Sequence, residues 1–205
     1  AVSLDGVAPL QYTDSNGHVR GISKEVLETI SDMTGLVFTY RLYDTAAKVN
    51  NSGADIVFGI PAEYAHENMV LSVPFLESET ILFLNSSVDP NELDNKKYAA
   101  VEGNDLLEGL KKENIVYYKT REEAMDAVDR GEADYGYGNA YSVVFYTIQN
   151  GYKNLITVPE KNEIREYCIG LLKNDETLLS IINKSISAIS ETHMRTLILN
   201  EATRV

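Results

Sequence analysis

The stretch from residue 115 to 151, IVYYKTREEAMDAVDRGEADYGYGNAYSVVFYTIQNG, constrains the fold more than any other part of the chain. Ile115 to Tyr118 is a β-branched and aromatic run. Thr120-Arg-Glu-Glu123 then matches the Ser/Thr-x-x-Glu capping box that satisfies the first N–H groups of a helix. The spacing of Ala124, Met125, Ala127 and Val128 predicts a helix from Arg121, closed by Gly131 in the left-handed conformation. Ala133 to Gly138 reads as a second strand, and Asn139 opens a second helix that runs to Asn150, before Gly151. Strands that alternate with helices through short turns imply a parallel sheet with right-handed crossovers. Ligands of such sheets lie beyond the carboxyl ends of the strands, which directs attention to Gly138 and Asn139. Asn is equally a preferred helix cap, so Asn139 carries two readings at this point.

The rest of the chain continues the alternation. Ala1 to Leu4 is a short apolar run, followed by a turn-rich segment in which Asp14-Ser-Asn-Gly17 is strong turn chemistry. Ser23 is expected to cap a helix whose apolar stripe is Val26, Leu27, Ile30 and Met33, closed by Gly35, and Leu36 to Tyr40 is expected to be the next strand. The run ADIVFGI, residues 54 to 60, reads as a strand covered on both faces, and Pro61 as the first residue of a short helical stretch. Ser72 to Phe75 reads as a turn, Glu79 to Asn85 as a strand and Tyr98 to Glu102 as another. Gly103-Asn-Asp105 is expected to begin a helix carrying Leu106, Leu107 and Leu110. Leu155 to Pro159 and Cys168 to Leu172 read as separate strands, followed by helices from Asp175 to Ile189 and from Glu191 to about Leu199.

With 205 residues, the chain fits two small lobes or one large domain. Its formal charge of −13 argues against nucleic acid and anionic membrane surfaces as partners, both of which would repel it. The single cysteine, Cys168, cannot form an internal disulfide, and no run approaches the length of a transmembrane helix. A chain that opens inside the strand-like AVSL is expected to be a piece of a longer precursor. The three histidines, His18, His66 and His193, are scattered, and no Ser/His/Asp, Cys/His or metal-ligand spacing occurs. No catalytic residue, metal site or cofactor is therefore expected. Gly136-Tyr-Gly138 resembles a dinucleotide fingerprint only weakly, because Tyr141 stands where a third glycine belongs.

Taken in order, APLQYTDSNGHVRGISKEVLETI, TGLVFTY, ADIVFGI with SVPF after it, and EEAMDAVDRGEADYGYGN resemble the extracytoplasmic solute-binding proteins of family 3. These are bilobal Venus-flytrap receptors of amino-acid uptake, and the same module serves as the sensor domain of membrane-bound histidine kinases. The resemblance implies an α/β, periplasmic-binding-protein-like type II fold, with a mostly parallel sheet flanked by helices in each lobe. Lobe 1 would be residues 1 to 80 with 168 to 205, lobe 2 residues 84 to 166, and the hinge strands would lie near 81 to 83 and 167.

The same resemblance places the candidate ligand-binding residues. Lobe 1 would offer Asp5, Tyr12, Tyr43, Pro61, Glu63, Tyr64 and His66; lobe 2 would offer Glu102, Asn104, Asp105, Tyr137 and Asn139. Amino-acid binders of the family grip the ligand carboxylate with an arginine whose position here falls on His66, or on Ala65, and a threonine that serves the ligand is replaced by Pro61. Glu102 and Asp105 put carboxylates at a turn where relatives donate to anions, and the aspartate for the ligand's amino group is the neutral Asn139. At about 1.5 to 3 kcal/mol per charged hydrogen bond, a ligand carboxylate would lose tens- to hundreds-fold in affinity. A neutral or cationic solute fits better than a free α-amino acid. Tyrosines at strand ends and helix starts could stack on such a ligand, although chance alone places several of the 13 in the chain there.

Asn at the position of Asn139 is more usual in the sensor branch of the family, so the expectation is the extracytoplasmic sensor domain of a membrane-anchored receptor. Lobe closure would be passed through the last helix, the membrane would be reached through flanking segments, and a homodimer of the parent receptor is allowed. Two alternatives stay open: a free-standing component of an ABC uptake transporter, and a protein-interaction module with a degenerate cleft. Some dehydratases share the architecture, but nothing in this chain supplies their chemistry.

Overall fold

The structure, a computed structural model, describes residues 1–64, 68–104 and 106–204, with the side chains of all of these except Tyr64, Lys161 and Asn162. In chain order the first elements are β1 (Val2–Leu4), β2 (Tyr12–Thr13), β3 (Val19–Arg20), α1 (Ile22–Thr34), β4 (Arg41–Tyr43), α2 (Ala46–Asn50), β5 (Ile56–Pro61) and β6 (Val70–Leu71). Then come β7 (Leu76–Asn85), β8 (Tyr98–Val101), β9 (Ile115–Tyr118), α3 (Arg121–Arg130), β10 (Tyr135–Asn139) and α4 (Ala140–Asn150). The chain ends with β11 (Leu155–Leu171), α5 (Glu176–Ala188) and α6 (Glu191–Ala202). Two compact units result: Ala1–Ser78 with Arg165–Val205, and Glu79–Ile164. The chain passes between them in β7 and β11.

In the first unit β1 pairs in parallel with both β4 and β5, and β5 pairs antiparallel with the end of β11. Phe58, Ile56, Leu10, Ile22, Leu27, Ile30 and Ile169 are fully buried here, and α1 meets β5 through the Val26, Leu27 and Ile30 part of its expected stripe, whereas Met33 is 47% exposed near the end of the helix. In the second unit the strand order is β7, β10, β8, β9, with β10–β8 and β8–β9 parallel and β10–β7 antiparallel. One face carries Leu82, Leu84, Tyr98 and Tyr135, packed by Leu93, Leu107 and Leu110. The other carries Phe83, under the Arg121 guanidinium of α3, and α3 and α4 both pack on β10.

The opening stretch folds as its punctuation dictates. Thr120 accepts from the Glu123 N–H, Glu123 reaches back to the Lys119 N–H, and Gly131 and Gly151 close α3 and α4 in the left-handed conformation. Four other expectations are corrected. Ser23 is not a cap: helix α1 starts after Gly21, and the carbonyls of Pro9 and Leu10 already accept from the Ile22 and Ser23 N–H groups, so no side-chain acceptor is needed. The strand expected at Leu36 to Tyr40 forms instead at Arg41–Tyr43, because the three-residue β1 pairs only with Arg41, Leu42 and Tyr43. No helix follows residue 105, since Gly109 at φ 82 interrupts it and Leu107 and Leu110 pack individually on the tyrosine face. Leu155 to Pro159 and Cys168 to Leu172 belong to the single strand β11, whose charged middle hid the continuity.

Candidate functional site

In the first unit the β1 end and the β2–β3 hairpin bring Asp5 and Tyr12 to one region. Asp5 is spoken for locally: its Oδ1 accepts from the Gly6 N–H at 2.8 Å and the Thr13 N–H at 2.9 Å, and its Oδ2 accepts from Thr13 Oγ1 at 3.0 Å. Those bonds tie the loop after β1 to the hairpin. Tyr12 is half-buried, and burial followed by the charge of Glu201 pushes its hydroxyl pKa up. Tyr43 packs beside Val2, Val49, Val57 and Met69, with the Arg41 guanidinium 4.8 Å from its ring centre.

Pro61 ends β5 opposite Tyr167, and the backbone turns through a short 3-10 segment, Ala62–Tyr64. The side chain of Tyr64, and Ala65 and His66 entirely, lie outside the described residues. An arginine reaches this turn from β11: Arg165 Nε donates to Glu63 Oε1 at 2.8 Å. The guanidinium is therefore offset by a carboxylate of the turn it approaches, and the pair has no net charge to present to an anion.

In the second unit Glu102 and Asn104 are exposed on the turn after β8, their N–H groups donating to the Tyr118 and Val101 carbonyls. Asp105 lies outside the described residues. Tyr137 is half-buried at the end of a cluster of three rings, 6.2 Å from Tyr135 and 6.3 Å from Tyr98 between centres. Burial first, and then the charge of Glu160, push its hydroxyl up to about 12, so it stays protonated and able to donate throughout the neutral range. Asn139 caps α4 with both ends of its amide: Oδ1 accepts from the Ser142 N–H at 2.9 Å and Nδ2 donates to Ser142 Oγ at 3.0 Å. Asn139→Ala is expected to cost about 1 kcal/mol in urea unfolding, the usual worth of such a cap. A loss below about 0.3 kcal/mol would mean that the amide is held for something other than the helix.

The sequence reading missed Arg121. It is the first residue of α3, with its guanidinium 5.6 Å over the Phe83 ring and its Nε 3.1 Å from where a Cβ on Gly138 would stand. Gly136 does the same for Phe83, whose Cζ lies 2.4 Å from the corresponding Cβ position. The two glycines point to one face of β10 and make room for a ring and a cation, which accounts for Gly136-Tyr-Gly138 without any nucleotide. Their i, i+2 spacing in a strand was the available signal. Among the described residues no group of three or more His, Cys, Asp or Glu side chains is placed to hold a metal ion, and no helix is long and apolar enough to cross a membrane.

No protein-family model matches the sequence, and no curated protein matches it. Solved structures do. The chain is similar to the periplasmic VFT2 domain of BvgS from Bordetella pertussis, with a TM-score of 0.84 at 22% identity over 98% of this chain and 91% of that one. It is similar to a histidine kinase sensor domain that itself resembles periplasmic binding proteins, with a TM-score of 0.83 at 18% identity over 100% and 95%. It is also similar to a substrate-binding protein of an ABC uptake transporter from Streptococcus pneumoniae, solved with histidine, at TM-score 0.80 and 15% identity over 98% and 91%. Likeness of this kind over the whole chain establishes the fold expected from the sequence: mixed α/β, Venus-flytrap, periplasmic-binding-protein-like.

Proposed function

We propose that this chain is the extracytoplasmic ligand-binding domain of a transmembrane signalling receptor of the histidine-kinase type, taking a small neutral or cationic solute between its lobes and signalling by their closure. The observation that carries the reading is the likeness of the whole chain to a kinase sensor domain and a solute-binding protein, neither of them an enzyme by its description. The choice of solute class rests on the residues. The arginine that family members use is absent at residues 65 and 66, Arg165 is offset by Glu63, and the turn after β8 carries Glu102. Binding as a free-standing uptake component is the second reading, favoured by the transporter chain among the similar structures.

A thermal-shift screen of amines, nucleobases, sugars, other neutral metabolites and amino acids tests the reading. A solute at 100 times its dissociation constant adds about 2.7 kcal/mol, which moves the midpoint of a chain this size by roughly 5 to 10 °C. Such a shift is expected from a neutral or cationic solute. Silence across the whole panel would favour the degenerate-cleft alternative.

A further inference from the structure

Three buried polar side chains, Ser3, Gln11 and Ser23, gather around β5 in the first unit. Opposite β11 this strand carries one residue too many: Ile60 pairs with Cys168 and Val57 with Gly170, so Phe58 and Gly59 together face the single Ile169. The Phe58 carbonyl accepts from Ser3 Oγ of β1 at 2.5 Å. Gly59 takes φ +67, and the point where its Cβ would stand is 2.1 Å from Gln11 Oε1 and 2.5 Å from Ser23 Oγ. The sum of those distances, 4.6 Å, is the farthest that the two oxygens can lie from each other. Gln11 is 2% exposed and Ser23 1%, yet neither oxygen has a hydrogen-bond partner among the described residues. Gly21 brings them together, because only a residue without a side chain lets the backbone of Leu10 and Gln11 lie against the start of α1; a Cβ there would meet Leu10 O at 2.2 Å.

A bare buried oxygen carries the full cost of its lost hydration, and two of them side by side call for a shared partner. Gln11 Oε1 only accepts, whereas the Ser23 hydroxyl both donates and accepts. Water matches both, and one molecule at ordinary hydrogen-bond lengths of about 2.8 Å spans a separation of this size. A hard cation takes about six or more oxygens, and two neutral ones do not hold it. We propose that Gln11 and Ser23 form an internal binding site for a single water molecule, which joins the lead into β2, the first turn of α1 and the bulge of β5. The site adjoins Tyr12 and lies two residues before Pro61, so it holds the hairpin and the turn after β5 to one buried point.

A high-resolution crystal structure of the whole chain tests this directly. One isolated density peak is expected within about 2.7 to 3.2 Å of both Gln11 Oε1 and Ser23 Oγ. Ser23 turned onto Gln11 in a direct hydrogen bond, or no peak beside the two oxygens, would overturn the proposal. Thermal unfolding of S23A gives an independent readout. Alanine is the better helix former and removes the hydroxyl, so a dry site predicts a midpoint that is unchanged or raised. A hydrated site predicts a midpoint lowered by about 2 to 4 °C, as one lost hydrogen bond does in a chain of this size. Q11M keeps most of the side-chain bulk without its oxygen, and should both lower the midpoint and abolish the density peak. A peak that survives in Q11M, or a midpoint that does not fall in S23A, would contradict the assignment.

Discussion

Gly59→Ala should destabilise the first unit by about 2 to 5 kcal/mol, whose upper end is close to the limit for one methyl group. Two independent costs add. Gly59 sits at φ +67 inside β5, where an L-residue loses roughly 1 to 2 kcal/mol. The new Cβ would also stand 2.1 Å from Gln11 Oε1 and 2.5 Å from Ser23 Oγ. Gln11 is 2% exposed and Ser23 1%, so neither can swing into solvent, and overpacking costs of about 1 to 3 kcal/mol follow. Two glycines serve as controls. Gly17, at φ +82 with nothing within 4 Å of its Cβ position, should lose only the backbone part on replacement. Gly170 meets Met69 Sδ at 2.5 Å, a flexible thioether that can shift, and should fall below Gly59. Urea unfolding that gives Gly59→Ala and Gly17→Ala the same cost would show that the Gln11–Ser23 surroundings yield freely.

Phe83→Ala should cost about 3 to 5 kcal/mol in the second unit. Its ring is fully buried, fills the space left by Gly136, and supports the guanidinium of Arg121. Removing it leaves a void beside Gly136 and takes away the face on which the Arg121 guanidinium rests. The coupling is measurable: Gly136→Ala alone forces Phe83 to move, whereas in a Phe83→Leu background the added methyl has room. A double-mutant cycle should give at least about 1 kcal/mol of compensation. Additive costs would mean that the glycine and the ring are not matched to one another.

How much of this was legible in the sequence differs by element. The α3–β10–α4 stretch was readable to within a residue or two, because Thr120, Gly131, Asn139 and Gly151 act on backbone groups next to them. Gly59 was not readable: ADIVFGI has the composition of an unbroken strand, while the residues that demand a glycine, Gln11 and Ser23, lie more than thirty positions away. The same holds for β4, whose position follows from the length of β1, and for β11, whose middle carries charges because it passes between two units rather than through a core. Among the candidate ligand residues, Asp5 and Asn139 were picked as polar groups at strand ends. Asp5 also holds its own loop and Asn139 also caps α4, bonds that depend on where the neighbouring N–H groups fold and so cannot be read from the residue types. Arg121 escaped notice because a first-turn arginine ordinarily points to solvent.

The proposed solute class turns on Arg165, whose charge at the turn after β5 is offset by Glu63, and calorimetric titration with matched pairs tests it most directly. Arginine against agmatine and histidine against histamine differ by the carboxylate alone. The amine of each pair is expected to bind at least as tightly as its amino acid, since a carboxylate at the turn after β5 would have to compete with Glu63 for Arg165, a charged hydrogen bond worth about 1.5 to 3 kcal/mol. An amino acid that binds more than about tenfold tighter than its amine would contradict this, and would identify Arg165, released from Glu63, as the first group to replace.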